Sequence, residues 1–340
     1  MRNTKLAVLG AGSWGTALSI NLAKRLERVD LWVYEKDLFD LIETTRENSY
    51  FLPGVPLPSA IHPTHSLKEA VAGKEILLLA IPTHFIRETL ATIQPFLAPN
   101  CLIVNAGKGI ENDTLCVIHE IIEQILGSSI RTATISGPTF AAEIAQDAPS
   151  ALVAAAKTMA DAEIVQELFN GPDLRVFASN DLIGVETGGA LKNVIAIAAG
   201  ISDGLGLGHN ARAALITRGL VEISRIGTAM GARPETFSGL SGLGDLVLTC
   251  TGDLSRNRSV GIKLGQGQSL AEITGGMKMV AEGVRTVKSA RDLKNKFGLQ
   301  ASVIEETYQI LYENKPPSLA LRDLMKVNIT SEFSGVKGLP

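Results

Sequence analysis

An α/β fold is predicted: an N-terminal doubly wound parallel sheet over residues 1–180, followed by an all-α C-terminal domain over residues 181–340. Three observations predict it. Short, wholly apolar runs alternate with helical patterns through the first half. After about Asp181 that alternation gives way to helical periodicity alone. The length, 340 residues, is that of two domains rather than one.

Lys5–Leu9 is an apolar run with no polar face, as a buried parallel strand requires. It runs directly into Gly10-Ala-Gly12-Ser13-Trp14-Gly15 and then into a helical pattern from Thr16 to Ala23. Strand, GxGxxG and helix in that order form the Rossmann fingerprint of dinucleotide binding. Gly10 makes the turn, Gly12 lets a pyrophosphate approach the backbone, and Gly15 lets the helix sit close to the sheet. Val29–Tyr34 reads as the second strand and ends at Glu35, about 20 residues beyond the glycines, where a carboxylate accepts the adenosine ribose hydroxyls. A carboxylate there repels a 2′-phosphate, so Glu35 favours NAD over NADP, although Lys36 beside it works the other way.

Glu75–Ala80, Cys101–Asn105, Arg131–Ile135 and Ala151–Ala154 continue the strands, with helices expected over His84–Phe96 and Asn112–Leu126. Ligands of such sheets collect beyond the carboxyl ends of the strands. The informative loops are therefore Pro82–His84, Ala106–Gly109 and Ser136–Ala141. Lys108, between two glycines just after a strand, suits an anion or a carbonyl oxygen; an ordinary exposed turn lysine reads the same way in isolation.

In the second half, Glu186–Gly200 is a long run of apolar and small residues with one cation, Lys192. Its same-face neighbours are Gly188, Gly189, Ile195 and Ala196, small enough to let another backbone or a ligand approach the ammonium. A lysine snorkelling to water fits this segment equally well when it is taken alone. Asn210–Met230 is an amphipathic helix with Asn210 as its cap and Gly231 as its stop. Further helices are expected over Val284–Phe297, Ser302–Glu313 and Ser318–Met325. Ser241–Asp245 places an acid after two glycines. Gly252–Ser259 gathers Ser255, Arg256, Asn257 and Arg258, donors that suit a phosphate, although Ser255 also reads as a simple helix cap.

The net charge of −3 gives no basic footprint for nucleic acid or for an anionic membrane. No apolar run approaches a membrane span, and the N-terminus breaks into glycine too early for a secretory signal. Three scattered cysteines form neither a disulfide frame nor a zinc site, and the histidines show no ligand spacing, so no metal is expected. A reduced, cytoplasmic protein is the expectation, and a homodimer the ordinary assembly.

Together these segments resemble the NAD(P)-dependent glycerol-3-phosphate dehydrogenase family of bacterial type. The resemblance runs along almost the whole chain. It rests on Gly10–Leu18, Asn48 with Tyr50 and Leu52–Pro58, Lys108–Glu111, Ser136–Ala141, Gly188–Asn193 continuing to Gly208–Asn210, Gly242–Asp245 and Ser255–Asn257. It implies a 6-phosphogluconate-dehydrogenase-like helical domain and the reduction of dihydroxyacetone phosphate for phospholipid synthesis. Lys192 would be the proton donor and acceptor, with Asp245 and Lys108 holding and polarising the substrate and Asn193 and Thr249 assisting. Gly137, Thr139, Ser255, Arg256 and Asn257 would bind the glycerol phosphate. Ser13, Trp14, Lys108, Ala141, Arg256, Val280 and Glu282 would meet the dinucleotide. Many bacterial members carry His or Arg at the end of the second strand, whereas this chain has Tyr34 and Glu35, which speaks against the usual NADPH preference. Two rival readings are a β-hydroxyacid or sugar-acid dehydrogenase on the same lysine helix, and a dinucleotide-sensing module without turnover. The Ser-Arg-Asn loop argues against the first, and the joint presence of Lys108, Lys192 and Asp245 against the second. Whether burial lowers the Lys192 pKa or Asp245 raises it is left open by the sequence.

Overall fold

The structure is a computed structural model that describes residues 2–276 and 281–326. The chain separates into two compact units, Met1–Gly107 with Ile118–Leu182, and Lys108–Val117 with Ile183–Pro340. Lys108 thus belongs to the helical unit although it follows a strand of the sheet.

The strands of the first unit are β1 (Leu6–Leu9), β2 (Val29–Trp32), β3 (Ile61–Thr64), β4 (Ile76–Leu79), β5 (Leu102–Asn105), β6 (Arg131–Ser136), β7 (Ser150–Ala156) and β8 (Leu174–Ser179). Between them lie α1 (Ser13–Ala23), α2 (Lys36–Thr45), α3 (Leu67–Val71), α4 (Thr83–Ile93), α5 (Ile118–Leu126), α6 (Ala141–Ala145) and α7 (Met159–Phe169). One sheet runs in the order β3-β2-β1-β4-β5-β6-β7-β8. The fully buried runs of β1, β4 and β5 are its centre, as expected for strands covered on both faces. The chain leaves β1 towards β2 and β3 on one side, then returns to β4 on the other side of β1. The carboxyl end of β1 is therefore the topological switch point, where open α/β sheets bind ligands.

Four expectations are corrected. The sheet is not wholly parallel: β7 pairs antiparallel with β6, because their connection holds only the five-residue α6 and no crossover helix. Asn112–Leu126 is not one helix. Ile110 and Val117 form an antiparallel bridge, and α5 starts only at Ile118. Asn210 is not a cap, since the helix already begins at Gly208 with Leu207 in the flanking position. Finally, one helix among the described residues is long and apolar enough to cross a membrane: α8 (Leu182–Gly204), 94% buried over its most apolar stretch. A helix enclosed by other helices is apolar all round and has the same composition as a span.

The second unit consists of α8, α9 (Gly208–Ala229), α10 (Asp245–Thr251), α11 (Arg256–Gly265), α12 (Leu270–Gly275), α13 (Glu282–Lys296), α14 (Ser302–Tyr312) and α15 (Pro317–Leu324). Its core gathers Leu191, Val194, Ile195 and Ile197 of α8 with Ile226, Phe237, Leu246, Val260, Val287 and Ile304. α8 and α11 touch backbone to backbone. A Cβ on Gly200 would lie 2.2 Å from the Arg258 carbonyl oxygen, one on Gly204 2.3 Å from that of Ile262, and one on Gly261 2.1 Å from that of Ile197. Glycines spaced by four on both helices make this approach possible.

Candidate active site

In the sheet unit the glycine loop has the geometry its spacing predicts. Gly10 has φ +113°, and a Cβ there would meet the Ala80 carbonyl oxygen at 2.6 Å. A Cβ on Gly15 would lie 2.0 Å from the Gly10 oxygen, so only glycine lets α1 start against β1. A Cβ on Gly12, by contrast, would meet no described atom within 4 Å. Gly12 is thus bare towards open space rather than towards the protein, at the start of a helix with no acid and no side-chain cap in its first turn. Exposed N–H groups and the positive end of α1 are what a pyrophosphate needs, so the residues present fit a dinucleotide.

Supports hold this loop from behind. Asn48 is fully buried and donates to the Ala11 carbonyl (2.7 Å) and to Thr16 Oγ1 (2.8 Å), while its own oxygen accepts the Phe51 N–H. Trp14 Nε1 donates to the Ala106 carbonyl at 3.0 Å. Asn105 Oδ1 accepts the Gly107 N–H at 2.8 Å and Nδ2 donates to Thr134 Oγ1 at 2.9 Å, shaping the turn after β5. Glu35 is exposed in the flanking position before α2, and Tyr34 beside it is 70% exposed. Ser13 and Ala141 are the first residues of α1 and α6, and Gly137 and Thr139 follow β6. A Cβ on Gly137 would strike Leu152 at 2.7 Å, so this glycine also serves packing against β7. Phe85 in the first turn of α4, half exposed and with its ring tilted 41° to that of His84, carries no signal in the sequence.

The helical unit brings Lys108, Lys192, Asp245 and Thr249 together. Asp245 is the first residue of α10 and has no exposed surface. Its Oδ1 accepts from Lys192 Nζ at 2.5 Å and its Oδ2 from Lys108 Nζ at 2.5 Å. Lys192 also donates to Thr249 Oγ1 at 2.6 Å, and that hydroxyl donates to the Asp245 carbonyl one turn back. A turn of π-helix, Leu240–Gly244, aims the carboxylate. It fits against α8 because a Cβ on Gly188 would lie 2.7 Å from the Ser241 oxygen. Burial pushes the Lys192 ammonium down to about 8, with Lys108 adding to the fall and Asp245 opposing it. Desolvation therefore wins the competition that the sequence left open. Cys250 beside it is pushed up to about 12 by burial and stays a thiol.

The Ser255–Arg258 donor set divides. Ser255 caps α11, accepting the Arg258 N–H. Asn257 is buried; its Nδ2 donates to Asn193 Oδ1 at 2.9 Å and its Oδ1 accepts the Gly283 N–H at 3.0 Å. Arg258 is bound to Asp203 and Asp253. Arg256 is left exposed at the start of α11, with no hydrogen bond among the described residues. Glu282, first in α13, is pushed up to about 6 by burial, against the pull of Arg256, Lys108 and Lys192. Val280 lies outside the described residues. Asp203 carries no local pattern that marks it in the sequence.

A glycine loop at a sheet switch point and a buried, carboxylate-held lysine in a helical domain define a dinucleotide-dependent oxidoreductase. The family models described as the N-terminus and the C-terminus of NAD-dependent glycerol-3-phosphate dehydrogenase match residues 5–162 and 181–322. Proteins of Geobacter metallireducens and Geobacter sulfurreducens named glycerol-3-phosphate dehydrogenase [NAD(P)+] are 54% and 52% identical, over 94% and 96% of this chain and 96% and 98% of theirs. A crystal structure of glycerol-3-phosphate dehydrogenase from Coxiella burnetii superposes with a TM-score of 0.92 at 37% identity, covering 96% of this chain and all of that one. The chain belongs to the NAD-dependent glycerol-3-phosphate dehydrogenase family. A ketopantoate reductase from Ralstonia eutropha, at 14% identity and a TM-score of 0.59, shares the fold.

Proposed function

We propose that this chain interconverts dihydroxyacetone phosphate and sn-glycerol 3-phosphate, with Lys192 as the general acid and base. The observation that carries the reading is the buried ammonium of Lys192, held by Asp245 and Thr249 and poised at about 8. When bound, the dinucleotide supplies or takes the hydride at nicotinamide C4. As the carbonyl carbon of the ketone is reduced, negative charge develops on its oxygen; Lys192 stabilises that charge and then gives up its proton. In the reverse direction the neutral amine takes the alcohol proton. An ammonium near pH 8 can do both close to physiological pH. Lys108, tied to the other oxygen of Asp245, polarises the same carbonyl. Arg256, with Ser255 and Asn257 beside it, takes the phosphate, together with Gly137 and Thr139.

Residues 1–180 serve as the dinucleotide domain, with Gly10, Gly12, Ser13, Trp14, Gly15, Tyr34, Glu35 and Ala141 as its contacts, joined by Lys108, Arg256, Val280 and Glu282. Residues 181–340 serve as the catalytic domain. The enzyme works in the cytoplasm as a homodimer and supplies glycerophospholipid synthesis. The test is the loss of the near-ultraviolet absorbance of NADH or NADPH on adding dihydroxyacetone phosphate. No loss with either cofactor overturns the reading. Glu35 favours NADH, and Glu35→Arg should move the ratio of kcat/KM for the two cofactors towards NADPH; an unmoved ratio removes Glu35 as the determinant.

A further inference from the structure

The contact of α8 with α11 is smooth. Gly200 and Gly204 face Gly261, Gly265 and main-chain oxygens of α11, so along this face the two helices touch backbone to backbone, while Val260 and Leu264 of α11 join the same core as Ile197 and Ile201 of α8. Yet α11 must be held accurately, because its first residue is Arg256. Two polar links add to the packing that sets its position. One connection is the Asn193–Asn257 pair. The other is Asp203, in the last turn of α8.

Asp203 is half-buried and joins three helices. Its Oδ2 accepts from Arg258 Nε at 2.8 Å, in the first turn of α11, and also from Nη2 at 2.8 Å, a forked contact. Arg212 of α9 donates to both carboxylate oxygens at 3.2 and 3.0 Å, and its other nitrogen lies 2.7 Å from His209 Nδ1. The far side of the Arg258 guanidinium meets Asp253, whose side chain is 97% exposed. Both arginines are tied to Oδ2, and Oδ1 also accepts from Arg212, so the carboxylate links the three helices.

We propose that Asp203 is a positioning residue for phosphate recognition. Through Arg258 it fixes the axial position of α11, and so presents Arg256 and the Ser255–Asn257 turn to the phosphoryl group. The inference rests on the reading that this turn takes the phosphate. It separates two substrates: a phosphorylated ketone uses the turn, and unphosphorylated dihydroxyacetone does not, while both use Lys192.

The test compares dihydroxyacetone phosphate with dihydroxyacetone in wild type, Asp203→Asn, Arg258→Lys, Asp253→Asn and Arg256→Ala. Asp203→Asn and Arg258→Lys should raise KM for dihydroxyacetone phosphate about tenfold to a hundredfold, the usual cost of misplacing a binding group by about 1 Å. Their kcat/KM for dihydroxyacetone and KM for NADH should stay within about twofold of wild type. Asp253→Asn should match wild type, since its partner contact is solvated. Equal losses on both substrates in the two variants, or an unchanged KM in a folded Asp203→Asn, overturn the inference. Arg256→Ala keeps the two levels apart. If it too affects both substrates equally, the phosphate assignment of the turn falls; if it is selective while the Asp203 and Arg258 variants are not, the positioning role alone falls. Thermal unfolding of each variant identifies any that fail to fold, and Arg258→Lys carries the test if Asp203→Asn is among them.

Discussion

Replacing Asp245 by asparagine should move the pH dependence of catalysis by an amount the geometry sets. Asp245 lies 2.5 Å from Lys192 Nζ and is the chief group opposing the burial that brings this lysine to about 8. Opposite charges about 4 Å apart interact by about 4 kcal/mol at the effective dielectric of a protein site. At about 1.4 kcal/mol per pH unit that is about three units, and relaxation around the new amide makes one to three the expected range. The sign is fixed: removing an anion disfavours the ammonium, so the pKa falls, to between about 5 and 7. With Lys192 as the proposed acid and base, the ammonium form would reduce the ketone and the amine form would oxidise the alcohol. For the wild type, kcat/KM for reduction should fall above about pH 8 and that for oxidation should rise through it. In Asp245→Asn both limbs should move to lower pH together. The titration of the substrate phosphate is common to both enzymes and cancels in their ratio. A reduction limb that stays near 8 in the variant would refute the claim that Asp245 holds the proton on Lys192. A loss in both directions with no movement of either limb would assign Asp245 to substrate binding alone.

Lys192→Ala should lower turnover by about a hundredfold to ten-thousandfold, the range for a lost general acid, and leave NADH affinity, measured by fluorescence titration, intact. A loss of cofactor binding would instead mark a structural lysine. Glu222 of α9 is buried and accepts the Val303 and Ile304 N–H groups at 2.8 and 3.1 Å, and burial pushes its carboxyl up to about 7. Its folded pKa lies above the ordinary 4.5, so the stability it lends is full below about 4.5 and is lost as pH rises through about 7, a change of about 3 kcal/mol. Denaturant unfolding between pH 5 and 8 should show that decline in the wild type and lack it in Glu222→Gln. Gly200→Ala would drive a methyl group to 2.2 Å from the Arg258 carbonyl, backbone that cannot swing aside. It should cost about 1–3 kcal/mol by urea unfolding, and a neutral result would mean that α8 and α11 part easily.

The sequence was most legible where backbone geometry leaves one residue type no alternative. Gly10 and Gly15 are glycines because carbonyl oxygens stand where their Cβ atoms would be, and such demands are local and readable. β3 was illegible for the opposite reason. It is an edge strand carrying Pro63, with Ile61 as its one fully buried residue, so neither apolar run nor alternation announces it. The β6–β7 reversal is equally silent, since a strand's direction is set by the length of its connection rather than by its residues. Asp203 escaped because its partner Arg258 lies 55 residues away and no local signature marks it, and Asn48, whose partners lie 32 and 37 residues away, was marked only through the family resemblance.

Lys192 and Asp245 show where the limit falls. Their spacing of 53 residues encodes nothing by itself, and the segment around Lys192 satisfies three incompatible descriptions: membrane span, snorkelling surface helix and catalytic core helix. A span and a core helix both require apolar residues on every side, and what separates this helix is that a buried carboxylate and a hydroxyl meet its one cation. The Gly188 contact with Ser241 and the Gly200 contact with Arg258 show why its glycines are there. One brings the turn before Asp245 against the helix, and the other brings α11 against it. The glycines that made α8 look featureless admit the two elements bearing Asp245 and Arg256. Their burial of Lys192 also lowers its pKa, so the packing that assembles the site also sets the proton affinity of the lysine proposed as its acid.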